Sequence, residues 1–452
     1  MNLKLTSKNL FWLLACFALA WIIISKPYGQ KQPGFKVIEW DVTLYYTYLP
    51  ALFIYDDIKL QKEWKVDLRE HQLYRTKKAP NGNPYLKMTS GMAILYSPYF
   101  FIAHGATSLF NPEIADGYST PYRVALILGS FINIFIGIWF LRKVLLRFYS
   151  DKVTAAVLAI VFLGTNLLHY TVWRGAMSHG HSFMLSAIFL YYLFKYKDNP
   201  TLKSAVVMGI TSGLIVLIRP VNALIPLAFM AYLSNYIIVN RRVIIWTHWF
   251  LMALCAFLIL FIQMLYWKVV TDHWIFYSYA DEGFFWSDSK IIEGLFSYRK
   301  GWFIYSPLMI LALVGIGALW KKKKALSLSI GLMAATAIFV TYAWWCWWYG
   351  GSFGSRPMID FYAVLSIPLG AFLTYIDGSK SFSGKPAVFI ITLLISISVF
   401  QNWQYQKQVI HHDSMTQKAY WTVFLKPYSP ANYQELLDKP DYEEAKKGRR
   451  DL

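Results

Sequence analysis

Charge is scarce in this chain. Charged residues make up 15% of its 452 positions and apolar residues 56%, against roughly 25% charged and 45–50% apolar in soluble domains. That balance excludes a soluble multidomain enzyme and equally a disordered or fibrous chain. Cysteine is scarcer still. Cys16, Cys255 and Cys346 each sit inside an apolar segment, which excludes a disulfide framework and leaves them as small buried hydrophobes. Glycine-rich phosphate loops between a strand and a helix are missing, as is HExxH, so nucleotide binding of the Walker or Rossmann type has no footing. Acid is outnumbered by base, 25 Asp and Glu against 44 Lys and Arg, for a formal charge of +19. The excess falls in short clusters between apolar segments, where anchoring at the cytoplasmic face of a membrane explains it. With no zinc spacing, basic helix or RNA-binding signature, nucleic acid is not an expected partner.

What the chain does have is apolar runs near the length that crosses a bilayer. Lys4 and Lys8 precede a run through Ile24, and no small-residue cleavage site comes before Lys26-Pro27. This reads as an uncleaved first span with the N-terminus inside. Further spans are expected near 122–141, 153–171, 181–195, 204–218, 221–239, 243–267, 302–320, 326–346, 357–376 and 386–403. The expected fold is therefore all-α, a polytopic transmembrane bundle of about eleven spans.

Four basic clusters set its orientation: Arg142, Lys143 and Arg147; Lys195 and Lys197; Arg241 and Arg242; and Lys321 to Lys324. They share one side, the cytoplasmic one, if the Pro98-containing segment 91–110 does not cross and is interfacial or re-entrant. Residues from about 26 to 121 then form a long first outer loop, and the catalytic module runs over 1–403. Lys62, Lys65, Arg69, Arg75, Lys77 and Lys78 fall in that loop, which is long enough to escape the positive-inside rule. Residues 404–452, polar and carrying Pro427, Pro430 and Pro440, read as an outer cap or mobile tail.

Chemistry is then expected on the outer face. Glu39 and Asp41 open a stretch that continues with Tyr45, Tyr46 and Tyr48 and turns apolar from Leu49, the pattern of an interfacial helix with acid at its start. A carboxylate beside a bilayer can accept a hydroxyl proton or hold a divalent cation such as Mg or Mn; the plain alternative is an acid that favours a helix N-terminus. Arg123, Arg219, Arg299 with Lys300, and Arg356 all stand at outer ends of spans, opposite the side that positive-inside anchoring explains. Guanidinium groups suit phosphate, although snorkelling to lipid headgroups uses the same residues. His179 and His181 flank Gly180 at another outer helix end, with substrate hydrogen bonding or polar packing favoured over zinc. Asp281 and Glu282 lie among Trp and Tyr residues, as in sugar sites and in aromatic belts alike.

The order of parts resembles a known family. An acid in the first outer loop, a Tyr-rich interfacial helix, the segment TSGMAILYSPYFFIAHG, Arg123 opening the second span, and a late GSFGSRPMIDFYAVLSIPL together resemble the GT-C superfamily of membrane glycosyltransferases. The protein O-mannosyltransferases, the aminoarabinose transferase of lipid A and their bacterial relatives are closest in character. The resemblance implies inverting transfer of a sugar from a polyprenyl-phosphate donor to an acceptor hydroxyl or amine on a protein, lipid or glycan. It implies the inner membrane of a bacterial cell, with the site outside. It matches Asp41 to the first-loop catalytic acid, although the pair here is Glu-Trp-Asp rather than adjacent Asp-Glu, so either acid is open as the base. Arg356 matches the late arginine loosely. A transporter or flippase for an anionic sugar-lipid and a polysaccharide polymerase or ligase are the rival readings; the first predicts ionisable groups near the bilayer midplane, which these spans have few of.

Overall fold

The computed structural model describes residues 6–26, 37–62, 77–378 and 384–450; Lys65, Arg69 and Arg75 lie outside the described residues. The chain is helical almost throughout. Helices α1 (Ser7–Ser25), α2 (Asp41–Tyr46) and α3 (Tyr48–Phe53) precede a small hairpin of β1 (Lys77–Lys78) and β2 (Pro84–Tyr85), paired antiparallel. Then come α4 (Gly91–Phe110), α5 (Thr120–Leu145), α6 (Asp151–Leu163), α7 (His169–Val172), α8 (Ser178–Asp198) and α9 (Leu202–Ile218). These are followed by α10 (Leu224–Val239), α11 (Trp246–Thr271), α12 (Ile291–Phe296), α13 (Trp302–Tyr305), α14 (Ile310–Trp320) and α15 (Lys324–Ala343). Helices α16 (Tyr362–Asp377), α17 (Gly384–Gln406), α18 (Gln417–Val423) and α19 (Tyr442–Lys446) complete the order.

Each of the eleven expected segments contains helix. Seven are long and apolar enough to cross a membrane: α1, α5, α10, α11, α15, α16 and α17, with α10 and α16 each extended by a preceding turn. Leu202–Ile218 and Pro307–Trp320 are shorter apolar helices, and α6 to α8 occupy the remaining two expected segments without meeting that length and apolarity. Outward faces carry Phe250, Phe257, Leu258 and Ile262 on α11 and Val388, Phe389 and Ile390 on α17, all exposed. In water such stripes would be a liability; against lipid tails they cost nothing. Between helices, lipid gives no hydrophobic drive, so close backbone approach must supply the contact. Gly209 and Gly213 do this for α9: an added Cβ would come within 2.5 Å of Met252 O and 2.8 Å of Ala256 O on α11.

The basic clusters gather at one end of the bundle. Arg147 pairs with Asp198, Arg242 donates to Lys197 O at 3.5 Å, and Lys197 lies within electrostatic reach of Arg147, Arg242 and Lys323. The start of α1 joins them, since Ser7 N donates to Asp151 at 2.8 Å and Arg142 Nε donates to Ser7 Oγ at 2.7 Å. Helix α4 stays away from that end. It begins where Thr89 Oγ1 donates to Leu217 O, beside the last turn of α9, and ends where Thr107 meets Tyr122 OH at 3.0 Å, in the first turn of α5. Both contacts are at the end opposite the clusters.

Candidate active site

Opposite the basic end, three carboxylates converge, each matched by a guanidinium. Asp41 opens α2 after Trp40, whose φ of 51° gives the chain a sharp left-handed entry. Arg356 opens the turn Arg356–Phe361 that leads into α16. The loop before it turns at Gly354, φ 56°, where a Cβ would press 2.9 Å from Tyr305 Cβ, so only glycine delivers the arginine here without strain. Arg356 Nη2 then lies 3.1 Å from Asp41 Oδ2. With 27% of its side chain exposed, Asp41 is reachable from outside.

Glu39, by contrast, is buried, with Oε2 3.7 Å from Arg174 Nη1 in the connection between α7 and α8. The third carboxylate, Asp360, is a residue the sequence reading quoted without singling out. It accepts from Arg219 Nε at 3.0 Å and from Asn222 Nδ2 at 3.0 Å on one oxygen, and sits 2.9 Å from His179 Nδ1 on the other. The signal for it was available: an acid inside an apolar span is costly unless paired. Tyr45 OH reaches Ser178 Oγ at 3.2 Å, and both Arg219 and Arg356 are close enough to feel the Tyr45 ring hydroxyl and each other. Tyr279 and Tyr349, also missed, stand within the same reach of Arg219.

The fold therefore brings together Glu39, Asp41, Tyr45, His179, Arg219 and Arg356. The other expected residues are engaged elsewhere. Tyr46 OH donates to Gly117 O at 2.5 Å and ties α2 to the loop before α5. His181 stands 3.2 Å from Met177 O with its ring edge-on to Tyr96. Arg123 donates within its own first turn, to Thr120 Oγ1 at 3.0 Å. Arg299 donates to the carbonyls of Asp413 and Asp438, both at 2.8 Å, and Lys300 to those of Ser352 and His412. Both basic groups are thereby spent on contacts that tie residues 404–450 to the loops around Arg299 and Ser352. Glu282 is buried between Lys87 and Trp345 Nε1, the latter at 3.1 Å. Asp281 pairs with Lys77 at 2.6 Å, and this hydrogen bond holds its carboxyl down to about 2, too acidic for a proton acceptor near neutrality.

Two other chemistries fail on geometry. Gly350-Gly351-Ser352-Phe353-Gly354 has the spacing of a hydrolase nucleophile turn. Ser352 Oγ, however, donates to the carbonyls of Trp348 and Gly354, at 3.4 and 3.3 Å, and not to a histidine. Nor do the residues around Asp41 fit a divalent cation. No group of three ligand atoms among the described residues includes Asp41, whose carboxylate faces a guanidinium, whereas Mg or Mn sites assemble several oxygens. Beside the cluster, a cavity of about 830 Å³ opens between α1 and α17, walled by Phe17, Trp21, Ile24, Trp173 and Trp403.

The architecture is a helical bundle with several helices of membrane-crossing length and apolarity, and its carboxylate–guanidinium cluster lies at one end. Among solved structures, the archaeal oligosaccharyltransferase AglB from Archaeoglobus fulgidus, determined in complex with an inhibitory peptide and a dolichol-phosphate, matches over 99% of this chain with a TM-score of 0.54 at 13% identity. The chain covers 59% of AglB. No family model and no curated protein matches the sequence.

Proposed function

We propose that this protein moves a sugar from a polyprenyl-phosphate donor to an acceptor hydroxyl or amine at the outer face of a bacterial inner membrane, with the N-terminus in the cytoplasm. The observation that carries the reading is the Asp41–Arg356 pair at 3.1 Å, an accessible carboxylate held by the arginine of a loop that Gly354 bends. AglB, whose fold this chain shares, was solved with a lipid phosphate, and that supports the donor class.

The chemistry follows from competition for one guanidinium. Paired with Arg356, the Asp41 carboxylate is occupied. An arriving phosphate, with more charge and a geometry suited to bidentate contact, draws Arg356 and Arg219 toward itself and leaves the carboxylate free. Asp41 then accepts the acceptor's proton as the acceptor oxygen or nitrogen attacks the anomeric carbon. The carbon–phosphate oxygen bond breaks on the opposite face, inverting the centre. The departing lipid phosphate keeps the electron pair, stabilised by Arg356 and Arg219 in a partly desolvated site. Asp360 and Asn222 hold Arg219 in place, and Glu39 does the same for Arg174. The prenyl chain has apolar room in the cavity between α1 and α17, whose wall residue Trp173 adjoins Arg174.

The test is transfer in reconstituted vesicles carrying radiolabelled sugar on polyprenyl phosphate. Label appearing on an acceptor in proportion to the protein supports the reading. Label that only crosses the bilayer, still on its lipid, would replace the enzyme with a carrier.

A further inference from the structure

Away from the carboxylate–guanidinium cluster, one group of side chains has the chemistry of a metal site. It lies in the turn His411-His412-Asp413, which follows α17 and precedes α18. His411 Nδ1 and His412 Nε2 each stand 3.4 Å from the same oxygen, Asp413 Oδ1. All three ligand atoms lie within 4.8 Å of one another, and the two rings are 4.2 Å apart. A tetrahedral ion with bonds of about 2.0–2.1 Å spaces its ligand atoms by roughly 3.3 Å along each edge. Two of the three edges are thus already set.

The surroundings fit as well. Asp413 is buried at the floor of the turn, and its carboxylate is oriented by Ser414 Oγ at 2.7 Å and Tyr442 OH at 2.9 Å. Outer partners of this kind fix a ligating group and strengthen its hold. His411 Nδ1 faces the backbone N–H groups of Asp413 and Ser414, at 3.4 and 3.2 Å. Its Nδ1 is thereby directed toward the turn. The contacts it makes there are long, at 3.4 and 3.2 Å, and a bound ion would replace them. His412 is 61% exposed, so the remaining coordination position opens to water.

We infer that His411, His412 and Asp413 bind one transition-metal ion of the zinc class. Two imidazoles with one carboxylate suit Zn, Co or Ni and not the oxygen-seeking Mg or Ca. The site is structural in placement. The His412 carbonyl accepts from Ser352 N at 3.1 Å and from Lys300, and the Asp413 carbonyl accepts from Arg299 at 2.8 Å. Locking the turn thereby locks the 344–356 loop that ends in Arg356. This inference stands whether or not the chain transfers sugar.

The test uses the full-length protein in detergent, stripped with a chelator and dialysed, with Zn²⁺ alone titrated against a chromophoric competitor. One equivalent bound tightly is expected, together with a rise in Tm, and Co²⁺ in its place gives a visible d–d band. His412→Ala removes an exposed ligand without touching the core, so it should fold while binding Zn²⁺ at least ~10-fold more weakly and losing the Tm response. Asp413→Asn should behave alike if it folds. Wild type and His412→Ala binding alike would mean an adventitious ion only and overturn the site, as would wild type binding less than one equivalent.

Discussion

Arg356 reaches Asp41 across 315 residues of chain, Nη2 to Oδ2 at 3.1 Å. The start of α2 and the turn leading into α16 are thereby joined at one point. In the proposed mechanism this contact also holds Asp41 paired until an anion competes for its partner.

Replacing Arg356 should therefore damage chemistry more than folding. We expect Arg356→Gln to lower kcat about 100-fold or more, the range for removing one preorganised donor to a developing charge. Arg356→Lys should recover little, because an ammonium cannot bridge carboxylate or phosphate in a bidentate way. Steady-state transfer at matched protein abundance checks this. A kcat within threefold of wild type for Gln would contradict it.

The Asp360 network makes a different prediction. Asp360 is fully buried and holds Arg219, His179 and Asn222 together. Asp360→Asn leaves a guanidinium without its counter-charge, which costs of order 3 kcal/mol for a buried pair. The variant should lose thermal stability in detergent and bind the lipid-phosphate donor less well. An unchanged Tm would show that Arg219 is held by something else.

Added Mg or Mn should leave transfer by the chelated and dialysed enzyme unchanged, because Asp41 faces Arg356 rather than further ligands. A titration of either ion reads this out. Activation of tenfold or more would put a cation at Asp41 and displace Arg356 from its role.

Packing between α9 and α11 should be intolerant of bulk. Gly209→Val drives a side chain into Met252 O, 2.5 Å from the new Cβ, and should cost about 1–3 kcal/mol. Gly317→Ala on α14 meets nothing within 4 Å and should be neutral or slightly stabilising. Melting of both variants in one detergent makes the comparison internal.

Much of this was legible in the sequence, and the part that was not has a physical cause. Hydropathy located the seven helices long and apolar enough to cross a membrane, because a bilayer imposes length and apolarity on each helix separately. Basic clusters located one end of the bundle for the same local reason. Asp41 and Arg356 stood out because each interrupts a pattern near a span. Asp360 did not, since its meaning depends on Arg219 and His179, which reach it from other helices. Arg299 and Lys300 looked like phosphate ligands for the converse reason. With the last 49 residues read as a cap or mobile tail, nothing in the sequence announced the carbonyls of His412, Asp413 and Asp438 that consume them.

Asp41→Asn is the variant that bears most directly on the proposed chemistry. Asn keeps the shape and the reach to Arg356 but cannot accept a proton. In membranes with matched protein and radiolabelled sugar on polyprenyl phosphate, the expected result is transfer reduced at least ~100-fold while the donor still binds. Full transfer by Asp41→Asn would contradict the mechanism and move the base to Glu39.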